Sequence, residues 1–346
     1  MYRRSYSLLV VLAVVMGVWA AITAAVLDRP LIDPEGSFLG PSWLRLPLLL
    51  GGALLLDLGP RTLWLSRGKP AAMPAIFKDR WHSHWNRERL LLVSLGIVCF
   101  YVIYVCYRNL KSFLPMVNET MYDRELHMID RALFFGYEPA KVLHQIFGTT
   151  ITAHTLSWIY LTFIPMVAIL VTVWLVWSRN LSFGWWFVTA QGIAWSLGTV
   201  SYYLLPTLGP GLEYGWLYND LAHTGTTDLM NSLVNARQKV IWGEGEAQTV
   251  AGFASLHTAI TLLWALMIQY TVRNRVIRIL AWVNFGLTVI ATLYFGWHYV
   301  ADDVAGILIA LVAFYVGGLA TGQKFDRHLL SAHPTTTTSA VPVSRE

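Results

Sequence analysis

Eight runs of apolar residues, each long enough to cross a bilayer, limit what this chain can fold into. A hydrocarbon core of about 30 Å takes about 20 apolar residues in a helix. The runs are approximately Ser7–Leu27, Leu44–Leu65, Leu90–Tyr107, Ala153–Trp177, Phe183–Leu205, Ser255–Val272, Val276–Phe295 and Val300–Ala320. Lipid offers no partner to a backbone amide or carbonyl, so such spans are helices. The expected fold is an all-α polytopic membrane protein with about eight transmembrane helices. Composition agrees: 55% of the 346 residues are hydrophobic and 13% are charged, where a soluble domain has about a quarter charged. The second run is the weakest, since it holds Pro47, Gly51, Gly52, Asp57, Pro60 and Arg61. Asp57 and Arg61 are four residues apart and can pair on one helix face, which lowers the cost of placing them in a span.

Positive charge sets the orientation. Arg3 and Arg4 put the N-terminus in the cytoplasm. Counting forward, the loop with Arg67, Lys69, Lys78, Arg80, Arg87 and Arg89 is cytoplasmic, as are Arg179, the cluster Arg273, Arg275 and Arg278, and the tail with Lys324 and Arg327. The outer segments are then about 28–43, 108–152, 206–254 and the tight corner 296–299. The first run follows two arginines, as in a signal peptide, but is too long for one and reads as a retained helix. The chain divides into two N-terminal helices with a basic loop (1–88), a six-helix membrane domain (89–322) and a cytoplasmic tail (323–346). The tail's Thr, Pro, Ser and Ala content predicts disorder. Within the outer segment 108–152, apolar residues at helical spacing around Asp123–Asp130, followed by Leu133, Phe134 and Phe135, predict a helix lying in the interface. Pro206-Thr-Leu-Gly-Pro-Gly211 ends a helix and opens the next outer loop.

The net charge of +5 belongs to cytoplasmic loops and does not point to nucleic acid. Cys99 and Cys106 sit seven apart in one apolar run and read as core residues. Neither a disulfide framework nor a zinc pattern is present, so no metal or other cofactor is expected.

Three segments meet at the outer surface in this topology. They are Phe253-Ala-Ser255-Leu-His257 at the start of the sixth run, Trp297-His298-Tyr-Val-Ala-Asp302 at the corner before the eighth, and Asn235-Ala-Arg237-Gln-Lys239 in the preceding loop. A spacing of four puts His298 and Asp302 about 40° apart on one helix face. Asp302 can then accept from one ring nitrogen and leave the other free as nucleophile or base. Asp303 lies about 140° away and suits that role poorly. A second histidine, His257, can protonate a leaving oxygen. Arg237 and Lys239 can supply charge-assisted bonds to a phosphate, and Ser255 a hydroxyl donor beside the amides of a helix start. His82, His84, His144, Glu244 and Glu246 read as structural or loop residues. Arg108 and Lys111 read as side chains snorkelling from a helix end. Asn118-Glu-Thr120 is a glycosylation acceptor pattern.

Ser255-Leu-His257 resembles the second signature of the type 2 phosphatidic acid phosphatase superfamily, and His298-x-x-x-Asp302 resembles its third. With Trp297-His298-Tyr299-x-x-Asp302 and Tyr202-x-Leu204-x-Pro206-Thr207, the nearest branch is that of inositol phosphorylceramide synthase and related bacterial membrane proteins. The resemblance covers about residues 90–320. It implies that His298 attacks phosphorus and forms a phosphohistidine, Asp302 orients it, and His257 protonates the leaving group and then activates the acceptor. The acceptor is water in the phosphatases and a lipid hydroxyl in the transferases. It further implies a lipid phosphate or phosphoinositol-type substrate and a multi-pass protein of a bacterial plasma membrane, with its site on the outside. The departures are the missing Lys-x6-Arg-Pro element, Ala291 and Thr292 where Ser-Arg is usual, and Ala254 where Pro is usual.

Two rival readings come from other classes. Two histidines on different helices can ligate a haem iron in a redox protein, and Asp57 with Arg61 inside a span suits a transporter.

Overall fold

The computed structural model describes residues 6–33, 42–67, 69–85, 87–178, 181–242, 252–325 and 332–334. Arg3, Arg4, Arg179, Glu244, Glu246, Arg327 and the segment 335–346 lie outside the described residues. The helices run α1 (Ser7–Val26), α2 (Ser42–Leu65), α3 (Met73–His84), α4 (Arg87–Val117), α5 (Asp123–Leu133), α6 (Pro139–Phe147), α7 (Ile151–Leu161), α8 (Phe163–Trp177), α9 (Leu181–Leu204), α10 (Pro210–Glu213), α11 (Gly225–Ile241), α12 (Leu256–Thr271), α13 (Arg275–Tyr294) and α14 (Val300–Ala320). Among the described residues the fold is all-α apart from two three-residue strands after α14.

Among the described residues, six stretches are long and apolar enough to cross a membrane: Ser7–Val26, Leu46–Leu65, Arg89–Val117, Ile151–Trp177, Arg275–Tyr294 and Val300–Ala320. The other two expected spans are α9 and α12. Eighteen of the 24 residues of α9 are buried. A helix enclosed by protein needs no lipid-compatible surface, so it can carry Ser182, Thr189, Gln191, Ser196 and Thr199 among its aromatic residues. The 16 residues of α12 extend about 24 Å, since Ser255 and Val272 at the ends of the expected span serve as its caps.

Three boundaries differ from expectation. The span ending near Tyr107 continues as helix to Val117, so Arg108 and Lys111 stand on a rigid helix rather than in a loop. The span Ala153–Trp177 is broken at Thr162, between α7 and α8. Pro165 has no amide for the Leu161 carbonyl and clashes with it, which ends α7 there. Third, the expected tail begins with order: Gln323–Phe325 pairs antiparallel with Ala332–Pro334, and the Phe325 ring packs on Trp186 and Phe314 at 5.6 and 5.8 Å.

Among the described residues the buried apolar side chains form a large cluster that joins α1, α4, α9, α12 and α14, and a smaller one around Tyr160, Tyr294 and Trp297. Leu9, Ala13, Met16 and Ala20 of α1 are buried in one cluster with Ile103 of α4 and Ala190 of α9. A Cβ on Gly192 would come within 2.9 Å of Leu9. So α1, placed by sequence in a separate N-terminal unit, packs directly into the helices that follow. Asp57 of α2 is also buried; it accepts from Trp85 Nε1 at 3.0 Å and lies 3.8 Å from Arg61.

Candidate active site

The chain turns sharply between α13 and α14. Gly296 takes φ +70, a region open to glycine at no steric cost, and its carbonyl accepts from the Gly211 amide at 2.7 Å. The turn hands the chain to α14 with His298 two residues before the first helical position. Next to it, α12 begins at Ser255, whose hydroxyl accepts from the Thr258 amide as an N-cap at 3.3 Å. The Ser255 amide donates to the Asp302 carbonyl at 2.9 Å, and Gly306 lets α14 approach so closely that a Cβ there would lie 2.5 Å from the Ser255 carbonyl oxygen. Asp303 completes the junction. It accepts from Thr258 at 2.5 Å and from Thr292 at 2.9 Å, joining α12, α13 and α14. Thr292 thus fills the place where the resemblance leads one to expect arginine.

His298 Nδ1 lies 3.2 Å from Asp302 Oδ2, so the two pair as expected, but His298 stands in the corner before α14 and not on the helix face that the spacing of four predicted. With Asp302 ionised, its carboxylate only accepts; the proton then sits on Nδ1 and Nε2 keeps its lone pair. Asp302 also accepts from the Tyr299 amide at 3.0 Å. In the corner outside the spans, burial pushes the His298 imidazole down to about 4, with Asp303 acting the other way and Lys111 in the same direction. The ring is therefore neutral at pH 7. The His257 ring lies 6.3 Å from that of His298, centroid to centroid. It is held between Tyr160 at 4.3 Å and Phe163 at 4.1 Å. These two residues flank the break at Thr162, so the kink caused by Pro165 builds the clamp on His257.

Both histidines line a cavity of about 250 Å³. Its walls include Arg108 and Lys111 from α4, the aromatic rings of Tyr104, Tyr107, Trp195, Tyr202 and Trp297, and the apolar side chains of Leu161, Ile164, Leu229 and Leu233. The Lys111 ammonium stands 5.1 Å from the Tyr202 ring and 5.8 Å from that of Tyr107. Sequence reasoning treated these two cations as snorkelling side chains. Their signal was two positive charges three apart at the outer end of a span, which both readings explain equally well.

The other expected phosphate ligands stand elsewhere. Ser255 is fully buried as the α12 cap and does not line the cavity. Arg237 follows Leu229 and Leu233 at intervals of four on α11, but beyond the cavity lining, where it feels the charge of Asp123. Lys239 is exposed.

Residues 124–316, more than half of the chain, match the family model described as the PAP2 superfamily. The match takes in His257, His298 and Asp302 and leaves α1 to α4, with Arg108 and Lys111, outside it. No curated protein and no solved structure matches the chain.

Proposed function

Since the chain belongs to the PAP2 superfamily, whose members are phosphoesterases, we propose that it is a metal-independent lipid phosphatase or headgroup phosphotransferase. It acts at the outer membrane face through a phosphohistidine. The observation that carries this reading is the His298–Asp302 pair facing His257 across a cavity with two cations in its wall.

The substrate phosphate binds against Arg108 and Lys111, whose charge-assisted bonds offset its negative oxygens. Its lipid portion lies along the apolar and aromatic walls. Nε2 of His298 attacks phosphorus while Asp302 holds Nδ1–H and stabilises the charge that gathers on the ring. The bond from phosphorus to the leaving oxygen breaks with its electron pair, and His257 gives that oxygen a proton. His257 then takes a proton from the acceptor, whose oxygen attacks the phosphohistidine and frees His298. The ring separation of 6.3 Å leaves room for one phosphoryl group between attacker and acid. Thr292 in place of the usual arginine favours the transferase branch that resembles inositol phosphorylceramide synthase, where the acceptor is a lipid hydroxyl and the substrate a phosphoinositol-type phospholipid.

The rival readings fit less well. A haem would leave Asp302 idle and two cations beside its iron. Asp57, the reason for a transport reading, is engaged by Trp85 and Arg61.

The test is a panel of lipid phosphates, phosphatidylinositol among them, given to purified protein in EDTA, with free phosphate and lipid products both measured. Phosphate release that disappears in His298→Ala identifies a phosphatase. A new phospholipid without free phosphate, also lost in the variant, identifies a transferase. Full activity in His298→Ala overturns the mechanism.

A further inference from the structure

Helix α5 is tied to the catalytic corner from outside it. Asp123, at its start, accepts from the amides of Leu208 and Gly209, both at 2.9 Å, and from the Tyr299 hydroxyl at 2.9 Å. Asp130, seven residues on and so on the same face, accepts from the Val300 amide through both oxygens at 3.0 and 3.1 Å. Val300 and Ala301 open α14, where amides have no partner inside the helix.

The first turn of α14 therefore serves two carboxylates. Asp130 takes the amide of Val300, and Asp302 takes the Tyr299 amide and pairs with His298 Nδ1. Asp302 Oδ1 is buried and has no hydrogen-bond partner among the described residues. Asp130 also shares a small cavity with His298 and Tyr299, walled by His127, Glu138 and Tyr218.

We propose that Asp130 is a positioning residue for His298. Its carboxylate holds the start of α14, keeps Asp302 committed to His298 Nδ1, and faces the imidazole across the small cavity. The inference rests on the reading of His298 as nucleophile. When Nε2 forms its bond to phosphorus and the leaving oxygen departs with its electron pair, positive charge gathers on the ring. A negative charge behind the ring stabilises that state more than the neutral resting state.

The charged and titratable groups around Asp130 come from every neighbouring element. On α5 these are His127 and Arg131, each 3.5 Å from Glu138 at the start of α6. Tyr214 stacks on His127 at 4.0 Å, Tyr218 lies beyond, and Tyr299 and Asp302 face it from the corner and α14. Helix α5 lies outside the spans. Burial pushes the Asp130 carboxyl up to about 7, Asp302 and Glu138 push the same way, and the Val300 and Ala301 amides pull it down. The site thus gains this charge as pH rises through about 7, and turnover rises with it.

Asp130→Asn keeps an acceptor at the α14 amides and removes the charge; Asp130→Glu keeps the charge. Two readouts separate positioning from simple capping. The first is kcat and KM against pH for full-length protein on dioleoyl phosphatidic acid and phosphatidylinositol in mixed micelles. The second needs no turnover: the His298 imidazole resonances of ¹⁵N-histidine-labelled protein, assigned with His298→Gln. The expected result is a wild-type kcat that rises through about pH 7 and an Asn variant that lacks the rise. Asn is lower by about tenfold at the alkaline end with KM little changed. Glu restores the rise, and the His298 Nδ1 signal shifts near pH 7 in wild type but not in Asn. An Asn variant with wild-type profiles in both readouts overturns the proposal, even if its Tm falls, since Asp130 is then only a cap. If wild type turns over neither lipid while another lipid phosphate is cleaved through His298, that lipid replaces them in the first readout. If no lipid phosphate is turned over at all, the nucleophile reading fails, and a His298 signal with the same pH response in wild type and Asn sinks the positioning claim as well.

Discussion

Lys111 and Lys239 show how little a residue type says until its neighbours are known. Both are lysines on the outer side of the expected topology, and sequence reasoning chose Lys239. In the fold Lys111 lines the cavity with both histidines, while Lys239 is exposed at the end of α11. A charge-assisted bond to a buried phosphate contributes about 1.5–3 kcal/mol. Lys111→Ala should therefore lower kcat/KM by about 10- to 100-fold, and Lys239→Ala by no more than about twofold. Steady-state kinetics on whichever lipid phosphate the wild type turns over decides it. Equal losses would return the phosphate to the α11 side. The pairing of His298 with Asp302 was legible because the two are four residues apart in sequence, although His298 stands in the corner before α14 and Asp302 in its first turn. Asp130 was not legible as part of the site, since its partner amide is 170 residues away.

At the scale of elements, hydropathy located the spans but not their interruptions. The break at Thr162 has a local cause in Pro165, yet its consequence, the rings of Tyr160 and Phe163 closing on His257, depends on α12 lying alongside. The extension of α4 to Val117 adds about 15 Å of rigid rod beyond Tyr107 and carries Arg108 and Lys111 to the cavity. The contact between α12 and α14 is where packing meets chemistry. A methyl on Gly306 would press on the Ser255 carbonyl and on Ala259 and Thr258 at 3.3 Å. Overpacking of this kind costs about 1–3 kcal/mol, and here relief requires moving α14 from α12, which changes the distance between His298 and His257. Gly306→Ala should thus lower both Tm and kcat, with kcat down by about tenfold or more. Thermal unfolding in detergent and turnover measured on one preparation test it; a variant that loses stability at unchanged kcat would show that the two helix starts do not set the catalytic gap.

For the whole molecule, the proposed orientation rests on lysine and arginine placed between spans, and it predicts that the His257–His298 cavity faces outward. Single cysteines at Glu138 and at Asp79, introduced with Cys99 and Cys106 replaced by alanine, should separate cleanly. An impermeant maleimide added to intact cells should label the first and reach the second only after lysis. The opposite pattern would put the site in the cytoplasm. What the sequence by itself determined was the class of fold, the membrane setting, and the pairing of His298 with Asp302, since these rest on run length, composition and nearness along the chain. Membership of the catalytic cavity was decided by tertiary structure alone. Arg108 and Lys111 reach His298 and His257 because α4, α9, α12 and α14 share one core, Tyr160 because α7 packs on α13 in a second cluster, and Asp130 because it accepts from the start of α14. The physical reason is that local signals report the backbone, whereas the field and the walls of a site are sums over side chains that the chain order keeps far apart.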